Sequence, residues 1–145
     1  MKKMLFYFLL LPTLILANYH DQIVYDKVDD YYQTMFEAIE ILNKNAFNTP
    51  QDKNTFIHWV NTKDHMSDEL AQVLTSYFLQ KKIAPSIDSE TTKLIQTIHK
   101  LLFLIEDIKQ QVSIKVIEDF GITWNQFKEL RPPNKNKKIV YEESF

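Results

Sequence analysis

Cysteine is absent from this chain of 145 residues, and glycine and arginine occur once each, at Gly121 and Arg131. Without cysteine the chain has no disulfide, no cysteine nucleophile and no site for a lipid-modified cysteine, so it stands on packing alone. A single glycine excludes glycine-rich phosphate loops and dinucleotide-binding turns, and it argues against an all-β fold, whose turns consume glycine. No serine lies in a recognisable nucleophile motif. Apart from residues 4–16, no long apolar run occurs, so no second candidate for a membrane span exists.

That one run carries an address. Lys2 and Lys3 precede an apolar stretch from Met4 to Leu16, which ends at Ala17. A positive start, a short hydrophobic segment and a small residue at its end predict a secretory signal peptide over 1–17, cleaved on export. The run is shorter than the roughly 20 residues of a spanning helix, and Pro12 interrupts it, so no stable membrane span is expected after cleavage. The mature chain, 18–145, then carries 15 basic and 19 acidic residues. That balance gives no basic face for nucleic acid. Sixteen lysines against one arginine, with abundant Ile, Asn, Phe and Tyr, match an AT-rich coding bias, and the compact signal points to a bacterium. The expected location is the periplasm or the medium.

Hydrophobic periodicity predicts an all-α, up-and-down bundle of four main helices plus a short C-terminal fifth, occupying 18–131. The first helix spans about 22–45, on the three- and four-residue spacing of Val24, Val28, Tyr31, Tyr32, Met35, Phe36, Ile39 and Leu42. Thr49, Pro50 and Asp52 predict the start of a second helix over 50–62 that buries Phe56, Ile57, Trp59 and Val60. Ser67 with Asp68 and Glu69 predicts the start of a third, ended by Pro85. The fourth begins near Ser86 or Asp88. Its seam of Leu94, Ile98, Leu101, Ile105, Ile108 and Val112 is a coiled-coil heptad pattern, and Leu102, Phe103 and Leu104 widen it, which predicts a central helix paired with the first. Residues 112–116 alternate like a strand, but a lone strand has no partner, so the helix is expected to continue to a left-handed stop at Gly121. Thr123 and Gln126 predict a capping box for a fifth helix over 123–130. Pro132 and Pro133 then open a tail, 132–145.

Candidate chemistry is sparse. Cleavage after Ala17 makes Asn18-Tyr19-His20 the mature start. A free amine, two amide nitrogens and a third-position imidazole form a square-planar site suited to Cu(II) or Ni(II). His58, Asp64, His65, Asp68 and Glu69 are ligand types without a tight metal spacing. His99 and Glu106 flank Phe103 on the fourth helix, where a histidine and a carboxylate two turns apart suit proton transfer in a small hydrolase. Asp26, Asp30 and Glu37, with Glu40 at the edge, form an acidic helix face. In the tail, Ile139, Tyr141 and Phe145 suit addition to a partner's sheet edge or groove. Taken together, the sequence predicts an exported, non-enzymatic interaction protein, an adaptor, inhibitor or chaperone-like factor with no cofactor, binding another exported or envelope protein and capable of forming a homodimer. Metal binding through residues 18–20 is the alternative and hydrolysis the third.

Overall fold

The computed structural model describes residues 4–133, with side chains from Asp21 onward. Among these the architecture is an all-α, up-and-down bundle of four helices. Helix α1 is Met4–Lys44, α2 is Pro50–Val73, α3 is Ser89–Gln110 and α4 is Ile114–Leu130. No strand occurs among the described residues, and no helix there is long and apolar enough to cross a membrane.

Four helices fill the bundle, but four features differ from expectation. The first helix starts at Met4 and not near residue 22, because the backbone of 4–21 continues the same helix without a break. The predicted second and third helices are one continuous rod. Ser67 does not start a helix; it is buried within α2, and its hydroxyl bonds the Lys63 carbonyl one turn back at 2.8 Å. The rod then continues from Val73 as a π-helical segment, Leu74–Lys82, closed by the Ile83 amide on the Phe78 carbonyl at 2.9 Å. Five-residue hydrogen bonding puts more than four residues in each turn. Steps of four and five therefore stay on one face, and Leu70, Leu74, Phe78 and Ile83 are all buried.

The predicted fourth helix is two. It breaks at residues 111–113, where Gln111 and Ser113 are extended, and folds back as α4. Val112, β-branched, sits inside the break and suits extended backbone there, whereas Ile114, Val116 and Ile117 are helical in α4. A tertiary contact closes the end: the Lys63 ammonium, buried, reaches from α2 to the Ile108 and Lys109 carbonyls at 2.8 and 3.0 Å. This reversal also corrects the pairing. α1 packs on α2 and α4, α3 packs on α2 and α4, and α1 and α3 stand across the diagonal. α3 is therefore a corner helix, with Phe103 63% exposed.

Gly121 is the fourth difference. It has no positive φ and lies inside α4, as does Thr123, whose hydroxyl bonds the Asp119 carbonyl at 2.8 Å instead of capping. The predicted helix over 123–130 is the last part of α4. Glycine is used for close approach: a Cβ at position 121 would stand 2.5 Å from the Tyr32 hydroxyl oxygen and 2.8 Å from its Cζ. Tyr32 instead stacks on Phe120, with ring centroids 5.8 Å apart.

Candidate binding surface

The two ends of the bundle differ in how they are closed. At the end near Asp21, Tyr25, Phe78, Trp124 and Phe127 form one aromatic cluster, with Phe78 and Phe127 centroids 4.9 Å apart. The Tyr25 hydroxyl donates to the Arg131 carbonyl at 2.5 Å, and burial pushes its pKa far up. Asp21 receives Lys82 at 2.7 Å and the hydroxyl of Tyr77. Burial raises the Asp21 carboxyl, but the hydrogen bonds from Lys82 and Tyr77 and the Lys82 charge outweigh it, so its pKa lies below the ordinary value. Burial and the bond to Asp21 push Tyr77 up. Between α1 and α4, Asp29 accepts Trp124 Nε1 at 2.7 Å and Lys128 Nζ at 2.9 Å. These groups are consumed in tying helices together.

The opposite end is stepped. α1 and α2 run antiparallel, and Ser67 Oγ lies 3.3 Å from Met35 Sδ. The α3–α4 turn lies at the level of Asn43, whose Nδ2 donates to the Val112 carbonyl at 3.5 Å. Above it only the loop of residues 45–49 and the start of α2 remain. At 1.5 Å per residue, 50–59 are about 15 Å long.

The start of α2 is firmly built. Thr49 accepts the Asp52 amide at 3.1 Å while Asp52 accepts the Thr49 amide at 2.8 Å, and Pro50 occupies the first helical position. The backbone bond from Thr49 holds the Asp52 carboxyl below its ordinary pKa. The helix is therefore a formed element whose apolar stripe outruns its cover. Phe56 lies two turns before Lys63 on the face that carries Ser67 and Leu70, and Trp59 and Val60 flank it. Yet none of residues 50–62 is buried. Phe56 is 40% and Ile57 54% exposed, which corrects the expectation that they fill the core; Trp59 and Val60 are half-buried. Phe56 meets the ring of Phe47 in the loop edge-on at 5.1 Å, beside an open notch of about 280 Å³ lined by Asn45, Ala46, Phe47, Asp52 and Thr55.

The electrostatics of this end are nearly neutral. Lys44 pairs with Glu40 at 3.0 Å, and on 45–60 the ionised Asp52 of the cap and the adjacent Lys53 balance in net charge. The rim is made of amides, Asn45, Asn48, Gln51, Asn54 and Asn61. An aromatic centre with few charges is the composition of a protein interface core.

The other predicted groups are dispersed. Asp64, Asp68 and Glu69 bind different partners: Lys63 at 2.5 Å, Lys109 at 2.7 Å, and Tyr31 at 3.0 Å. His58 and His65 are exposed, and no metal-ligating group of three assembles among the described residues. His99 and Glu106 are exposed on α3, as is Phe103. Asp26 and Glu40 bond to neighbours on their own helix, Gln22 and Lys44, at 2.7 and 3.0 Å. The side chains of Asn18, Tyr19 and His20, and all of Ile139, Tyr141 and Phe145, lie outside the described residues. Sequence reasoning missed Lys63 and Asp29, since a lysine or aspartate next to other charges carries no local sign of a distant partner. It had singled out Phe56, Ile57, Trp59 and Val60, though for the core. No family model, curated protein or solved structure matches the chain.

Proposed function

We propose that this chain is an exported, non-enzymatic binding protein that engages a protein partner through the stepped end of its bundle. One observation carries the reading: the apolar stripe of α2 continues toward its N-terminus on a well-capped helix, where Phe56 and Ile57 stand 40% and 54% exposed among the described residues. Aromatic anchors with an amide rim suit a partner that excludes water from the centre and satisfies hydrogen bonds at the edge. Export rests on Lys2, Lys3 and the apolar run to Ala17.

The test is capture from a native envelope fraction on immobilised mature protein. Partner retained by the parent chain and lost with Phe56→Asp supports the reading. Equal retention by both moves binding away from this end. A chain stopping after Arg131, run beside them, assigns or removes a role for Ile139, Tyr141 and Phe145.

A further inference from the structure

The surface groove between α3 and α4 holds two ammonium groups that the bundle leaves unmatched, and we propose that its occupant is this chain's own tail, 134–145, laid along it with Glu143 on Lys100 and Phe145 beside Phe103. The groove has a volume of about 470 Å³, and Lys93, Gln96, Lys100, Gln126, Glu129 and Leu130 line it. Other lysines of the bundle are matched: Lys63, Lys82, Lys109, Lys115 and Lys128 each meet a carboxylate at 2.5–2.9 Å. Among the described residues, Lys93 and Lys100 meet none, Glu129 included. α3 and α4 run antiparallel from their turn, so Lys93 lies at the Leu130 end and Lys100 at the Thr123 end, about 10 Å further along α3. Glu129, and Glu90 one turn before Lys93, make the Leu130 end acidic on balance. Arg131 acts on Asp21 and Lys128 pairs with Asp29, both toward α1. At the other end Lys100 stands alone. One turn away on α3 are Gln96, Thr97, Phe103 and Leu104, and Glu106 and Asp107 are about two turns on. Across from it α4 offers Thr123 and Gln126, and the next carboxylate, Asp119, is taken by Lys115 at 2.7 Å. Phe103, one turn past Lys100 on the same flank, is 63% exposed. From Leu130 onward the groove is acidic, then basic, then aromatic.

The tail carries the complementary groups in the same order. α4 ends at Leu130, in the groove, and the Tyr25 hydroxyl holds the Arg131 carbonyl at 2.5 Å, so the chain enters from the acidic end. Lys135, Lys137 and Lys138 come first, then Glu142 and Glu143, then Phe145. The spacings match as well. Glu90 to Lys100 is about 15 Å along α3, and Lys100 to Phe103 about 4.5 Å. In extended chain Lys138 to Glu143 is about 17 Å, and Glu143 to Phe145 about 7 Å. Ile139, Tyr141, Glu143 and Phe145 then share one face, so the acid and the ring turn toward the groove together. Opposite charges in register select one direction and one position along the groove.

The chain has no native cysteine, so disulfide trapping in the full mature chain tests this cleanly. One variant pairs Phe103→Cys with Phe145→Cys. A second pairs Ile122→Cys, 57% exposed on the α1–α4 side of α4, with Phe145→Cys. The effective concentration of each thiol pair is read in a glutathione redox buffer. The 103–145 pair is expected to exceed the 122–145 pair at least roughly tenfold, within one chain. Lys100→Glu lowers the 103–145 pair toward the control, and Lys100→Glu with Glu143→Lys restores it. The substituted groove positions are exposed, so the far-UV spectrum stays that of the parent. Equal values for the two pairs overturn the docking. A 103–145 preference indifferent to Lys100→Glu overturns the charge contact that defines it. Disulfides formed only between chains overturn the tail as occupant of its own groove. None of these outcomes bears on the reading of the start of α2.

Discussion

Single residues in this bundle are decided by what lies across from them. Gly121 is a helix-interior glycine, which local propensity alone would replace by alanine with a gain of about 1 kcal/mol. Tyr32 reverses the sign, because a methyl at 121 meets its ring at 2.8 Å and overpacking costs about 1–3 kcal/mol. Gly121→Ala is therefore expected to lower stability in urea unfolding, and to raise it in a Tyr32→Leu background. Lys63 is the converse case, a charge in the core whose side chain is 3% exposed and whose three donors are met by Asp64 and two carbonyls. Lys63→Met keeps the stem and removes the donors, leaving the end of α3 without partners. A loss of about 1–3 kcal/mol is expected, with faster amide exchange around residues 108–112.

At the level of elements, the same residue types either start a helix or run through one. Thr49 and Asp88 are true caps, whereas Ser67 and Thr123 turn their hydroxyls back to carbonyls four residues earlier. Proline makes the difference. Pro50 follows Thr49 and Pro85 precedes Asp88, and each interrupts the incoming backbone ladder, while no proline stands near Ser67 or Thr123. The Asp88 cap has a pH signature. Hydrogen bonds from Ser86 and from the Thr91 amide lower its pKa from 3.8 to about 2. A carboxyl lowered on folding stabilises fully above the unfolded value and loses that contribution as pH falls through the folded one. Amide protection in the first turn of α3 is thus expected to hold above pH 3.8 and to fall toward pH 2. Asp88→Asn, which caps without titrating, abolishes that step.

Across the whole molecule, the core and the proposed binding end separate in space. The core runs from the aromatic cluster around Tyr25 to the α3–α4 turn, and the more exposed stripe at the start of α2 contributes little to it. Leu70→Ala, at a fully buried position, is expected to cost about 2–5 kcal/mol. Ile57→Asp, more than half exposed, is expected to change stability by no more than about 0.5 kcal/mol while abolishing partner capture. Thermal unfolding and capture measured on the same two variants check this, and equal destabilisation by both would show that the overhang belongs to the core.

The sequence by itself determined the class of fold, because three- and four-residue apolar spacing lays one face of each helix on a core and requires nothing from elsewhere in the chain. It also determined the start of α2, through Thr49, Pro50 and Asp52, whose bonds close within one turn. Tertiary structure alone decided where the long apolar seam breaks, since the end of α3 is held by Lys63, forty-five residues away from Ile108 in the chain. It also decided that Phe56 and Ile57 face solvent. Periodicity marks the apolar face of a helix; whether another helix reaches far enough to cover that face depends on the lengths and register of the neighbours, which are set only when all four are packed.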